Sequence, residues 1–180
     1  MSPFSSEEFA RGVIRIVQII VAALALGVIC FAAVAIFLRF QNPPQQDAMI
    51  AYMAAGFAPM MLVVRAIVGT STVNSSRKNI AAGIRPLNIP TAGSQLPANL
   101  TDGDQFLFVF QQKTIIESAL VEGAAFFNLI AFLTIGQWWS LAVAGVLLAV
   151  MLVPFPTHDR VENWVRYQLE IMDLEKGRVA

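Results

Sequence analysis

The chain has 180 residues, 57% of them hydrophobic and 13% charged, about half the charged share of a soluble globular domain. Twelve Lys and Arg balance twelve Asp and Glu, and no basic stripe with interleaved aromatics occurs, so nucleic acid is not an expected partner. Cys30 is the single cysteine and lies in an apolar stretch, which excludes a disulfide framework and a thiolate metal site.

Taken in chain order, the apolar run from Ile16 to Leu38 lies between Arg15 and Arg39 and is expected to span residues 16–38 as the first membrane helix. It exceeds a signal-peptide core and reads as a retained anchor. Ser5 with Glu8 three residues later has capping-box form, so this helix begins before the span. "QNPPQQD", residues 41–47, turns the chain, and the second span is expected over 48–69, kinked near Pro59 and using Arg65 as a snorkelling residue.

Residues 70–113 form the expected cytoplasmic loop, read over 70–105 as an extramembrane loop or small subdomain in which "SSRKN" and "RPLNIP" carry no sustained period. Thr101 and Asp104 have capping-box spacing, placing a helix start near Asp102. From there to Ile135 a straight helix runs roughly 51 Å, more than the bilayer core, so the third span is set at 114–135, after the polar trio Gln111, Gln112 and Lys113. "GQWWS" is a tight interfacial turn into a short fourth span, 138–155. A tail helix over 158–175 follows, with Val161, Trp164, Val165, Leu169 and Met172 on one face. That face suits either the lipid headgroups or "FLFVF", residues 106–110, and the second is favoured.

Eleven of the twelve basic residues fall on one side if both termini are cytoplasmic, with Arg39 alone opposite. The expected fold is all-α, a single membrane domain over 1–180: an integral membrane four-helix bundle, N-in and C-in, in a plasma or inner membrane. Small-xxx-small pairs, Ala23 with Gly27, Ala51 with Ala55, Ala119 with Gly123 and Gly145 with Ala149, give every span a packing face. They permit a homo-oligomer or a partner within a membrane complex.

The candidate polar site is intramembrane: Glu122, Arg65, Glu117 and Asn128. At 100° per residue Glu117 and Glu122 point about 140° apart, which argues against an acid/base pair sharing a proton. Glu117 stands four residues after Lys113 and reads as a boundary residue paired with it. Glu122 lies roughly 13 Å beyond Lys113, where an ionised carboxylate costs about 3 kcal/mol. Protonation, a water-filled cavity or an arginine offsets that cost. Arg65 is within reach of either glutamate, and an Arg65–Glu122 pair fixing helix register is the leading expectation. Asn128 reads as a hydrogen bond between helices.

"SALVEGAAFFNLIAFLTIG", residues 118–136, resembles the carboxylate-bearing second helix of the ATP synthase c subunit, and the resemblance implies an ion-binding role for Glu122. The remainder departs from that family: the preceding helix lacks the alternating glycines, the loop is longer, and four spans replace a hairpin.

His158, the single histidine, stands beside Asp159 with no second ligand at metal spacing and reads as an interfacial residue. No nucleophile elbow, zinc-helix motif or phosphate-cradling glycine loop is present. The sequence therefore favours a non-enzymatic structural or accessory subunit of a membrane complex, without cofactor or metal. The alternative is a proton- or cation-handling membrane component using Glu122.

Overall fold

Long apolar runs with few helix breakers satisfy their backbone groups within themselves as helices, the form that a lipid surround would also demand. The computed structural model describes residues 3–41, 49–84 and 100–179; within them the chain is all-α with no strand. The helices are α1 (Glu7–Gln41), α2 (Met49–Ala81), α3 (Asp102–Ile135), α4 (Trp138–Leu152) and α5 (His158–Val179). α1, α2 and α3 have 35, 33 and 34 residues, and each is long and apolar enough to cross a membrane. α4 has 15 residues, roughly 22 Å, and is shorter than a bilayer core of about 30 Å. The chain divides into two compact units: Met1–Gln18, Gly69–Thr114 and Pro156–Ala180 make the first, and Ile19–Val68 with Ile115–Phe155 make the second.

The first unit has an aromatic core. Phe106, Leu107, Phe108, Val109 and Phe110 are all buried in it, together with Phe4, Val13, Ile14, Val73 and Ile80. α5 covers this segment with Val161, Val165 and Met172, and Trp164 meets Phe106 and Phe110 edge-on at centroid distances of 6.4 and 5.3 Å. The tail helix thus packs on "FLFVF". Each fully buried side chain of this size contributes about 1.5–3 kcal/mol of transfer free energy.

Local capping fixes where these helices begin and end. Thr101 and Asp104 form the expected reciprocal box: the Asp104 N–H donates to Thr101 Oγ1 at 3.3 Å, and the Thr101 N–H to Asp104 Oδ2 at 3.0 Å. The fully buried Asp104 also accepts from the Ser5 N–H at 3.3 Å, tying the N-terminal segment to α3. Ser5 is thereby used elsewhere, and the cap of α1 shifts one residue to Ser6, whose Oγ accepts from the Phe9 N–H at 3.4 Å. Gly103 sits so close to the Pro3 carbonyl that a Cβ there would collide with it.

The expectation of a loop over 70–113 is corrected in its first part: α2 continues to Ala81, while α3 begins at Asp102 as the capping box predicts, so most described residues of that stretch are helical. Val73 and Ile80, seven apart on one face, bury into the first unit's core and outweigh the modest helix propensity of the Ser and Asn around them. α2 closes through Gly83 at φ 72°, with the Ile84 N–H bonded to the Asn79 carbonyl and that of Gly83 to Ile80, the Schellman arrangement. "RPLNIP" and the expected turn over 42–47 lie outside the described residues. α5 runs four residues past the expected 175, and α4 ends three before 155.

The second unit is packed with small side chains. Ala25 and Val28 of α1, Ala58 of α2, Val121, Ala124, Ala125 and Leu129 of α3, and Ala144, Leu147 and Met151 of α4 form one core. Close backbone approach over alanine supplies the dispersion contacts that hold helices together in lipid. The pairs Ala119 with Gly123 and Gly145 with Ala149 are exposed within this chain, and neighbouring alanines make the contacts of this core. Gly136, φ 79°, closes α3 by donating its N–H to the Phe132 carbonyl at 2.7 Å. The Arg39 guanidinium rests against it where any Cβ would stand.

Candidate functional site

The four candidate polar residues all belong to the second unit, Arg65 on α2 and the other three on α3. Arg65 makes an ion pair with Glu117, Nε to Oε2 at 3.6 Å, with both side chains largely buried at 17% and 14% exposure. Its Nη1 also donates to the Val150 carbonyl of α4 at 3.4 Å. Val150 lies in the last turn of α4, where carbonyls without helical partners present negative charge, so the guanidinium is met from two helices. The expected Arg65–Glu122 pair is corrected to Arg65–Glu117.

Glu122 points elsewhere. A Cβ built on Gly27 of α1 would stand 3.5 Å from Glu122 Oε1 and 3.8 Å from Phe126, so the carboxyl lies over the bare backbone of that glycine. Among the described residues it has no ion-pair or hydrogen-bond partner. The angular offset read from the helix period explains the separation: two acids about 140° apart on α3 meet different neighbours, α2 for Glu117 and α1 for Glu122. Spacing alone gave that divergence but could not tell which of them faces Arg65.

Asn128 is fully buried and donates Nδ2 to the Ala54 carbonyl of α2 at 3.1 Å and to the Ala124 carbonyl at 2.9 Å. It makes the expected bond between helices. Its Oδ1 is buried without a hydrogen-bond partner. Sequence reasoning missed the Val150 carbonyl, since a backbone acceptor leaves no mark in residue type. It noted Gly27 only as half of a small pair; a glycine on the neighbouring span was the available signal for where a carboxyl fits.

His158 belongs to the first unit, at the start of α5, with Nδ1 3.8 Å from Glu162 Oε2. Among the described residues no three His, Cys, Asp or Glu side chains converge as a metal-holding group. The fold and site together define a protein that is all-α over the described residues, with three helices long and apolar enough to cross a membrane and two acids on the third of them, one matched to arginine. No family model, curated protein or solved structure matches the chain.

Proposed function

We propose that the chain is an integral membrane protein with four crossings, both termini cytoplasmic, serving as a non-enzymatic structural or accessory subunit of a membrane complex. The observation carrying this reading is that segments 1–18, 69–114 and 156–180 fold into one unit. Segments sharing a core must lie on one side of the bilayer. The chain between them therefore crosses an even number of times, so α3 is answered by a return through α4 with its flanking residues. Ten of the twelve basic residues fall in those three segments, which makes that side the cytoplasmic one. The aromatic core of this unit is not needed for crossing a bilayer, and a rigid helical body on the cytoplasmic side suits contact with another protein.

A second reading rests on Glu122, whose carboxyl beside Gly27 has no partner among the described residues: a group that takes up a proton or cation. Extraction of the full chain in mild detergent at native abundance separates the two. An assembly well above 19.6 kDa, with Glu122 inert to dicyclohexylcarbodiimide, supports the subunit reading. A lone chain labelled at Glu122, with labelling suppressed by a cation or raised pH, supports the second and displaces the first.

A further inference from the structure

At the foot of the first apolar run the first unit holds a groove of 820 Å3, lined by Glu8, Arg11, Gly12, Arg15, Gln18 and His158. Its volume lies in the range of small-ligand sites. Arg11, Arg15 and Gln18 are spaced i, i+4, i+7 and so share one face of α1. Gln18 Nε2 donates to the Pro156 carbonyl at 2.7 Å, which holds the approach to α5 against α1 and brings His158 to the groove.

The polar groups here are incompletely matched by protein. Arg15 has no carboxylate partner among the described residues. Arg11 pairs with Glu7 at 2.9 Å, but both side chains are mostly exposed, and such a pair is weak and exchanges readily. His158 has Nδ1 3.8 Å from Glu162 Oε2 and Nε2 buried without a hydrogen-bond partner. Gly12 leaves open space: nothing lies within 4 Å of a Cβ placed there.

We infer that this groove binds a phosphate-bearing anion, with the headgroup of an anionic phospholipid as its source. With Glu8 on the groove and Glu7 on Arg11, the two guanidiniums leave little net positive charge, which suits a singly charged phosphodiester better than a polyphosphate. Arginine supplies the forked donors that phosphate oxygens accept. Arg15 immediately precedes Ile16, where the apolar run begins; with that run as the first crossing, on which this inference rests, its guanidinium falls at the depth of bilayer phosphates.

The test uses the purified full chain and native mass spectrometry with phosphatidylglycerol or phosphatidylcholine added, alongside phosphorus NMR of inorganic phosphate with the detergent-solubilised protein. Wild type retains phosphatidylglycerol over phosphatidylcholine, and Arg11→Gln/Arg15→Gln weakens that retention about tenfold or more. Gly12→Leu, which keeps every charge and favours the helix, weakens it as well by filling the groove. Lys176→Gln leaves it unchanged. Phosphate broadening lost in the double variant, without lipid preference, keeps the site and makes free phosphate its source. Equal binding by wild type and both groove variants, or none by any, overturns the inference.

Discussion

Replacing Glu117 with Gln removes one charge of a largely buried pair and strands the other. At 3.6 Å and an effective dielectric of about 20, the two unit charges attract by roughly 4–5 kcal/mol. Breaking buried pairs from one side costs about 3–5 kcal/mol. The Val150 carbonyl still accepts from Arg65 in the variant and softens the loss, so Glu117→Gln and Arg65→Met are each expected to cost about 3 kcal/mol. Together they cost less than the sum, with a coupling of at least about 2 kcal/mol. Glu122→Gln, which breaks no ion pair, costs under about 1 kcal/mol. The assay is unfolding of the full chain from mild-detergent micelles by dodecyl sulfate, followed by far-ultraviolet circular dichroism. If the coupling appears between Arg65 and Glu122, and Glu117→Gln is silent, the assignment of partners is wrong.

Phe106→Ala empties a fully buried ring position that Trp164 covers and is expected to destabilise the first unit by about 3–5 kcal/mol, read as earlier proteolysis and as altered tryptophan emission. Gly136→Ala meets both a left-handed backbone and the Arg39 guanidinium, so it costs more than the roughly 1 kcal/mol of the backbone effect alone, whereas Gly12→Ala, in open space inside α1, gains about 0.5–1 kcal/mol of helix propensity in the same unfolding assay. Asn128→Leu removes the side-chain donor from the Ala54 carbonyl and is expected to lose about 1–2 kcal/mol; an unchanged midpoint would mean that the bond between α2 and α3 adds no stability.

The three long apolar helices were legible because hydropathy over twenty residues is a strong signal, and the box at Thr101 and Asp104 was legible because its residue types recur at fixed spacing. The extension of α2 through Ser75 and Ser76 was not. Its helicity comes from burial of Val73 and Ile80 against chain more than twenty residues away, which a local polar composition conceals. The same holds for the cap at Ser6: Ser5 has the right type, but its backbone is claimed by Asp104 from ninety-nine residues away. In the candidate site, the helix period gave the divergence of Glu117 and Glu122, while the identity of each neighbour depends on helix packing, which periodicity does not encode. Exposed Ala119 and Gly123 make the same point for one chain: small-residue spacing marks where backbones can approach, and the core of this unit uses the alanines beside them.

Sidedness tests the account most directly. In a Cys30→Ser background, single cysteines at Ser5, Ser75, Asp173 and Gln41 occupy exposed positions, the first three in the first unit and the last at the end of α1. A membrane-impermeant maleimide added to intact cells is expected to label Gln41→Cys alone, with Ser5→Cys, Ser75→Cys and Asp173→Cys reacting only after the membrane is opened. Labelling of Asp173→Cys from outside together with Gln41→Cys would contradict the account, because α4 would then not return the chain and the three segments could not share one core.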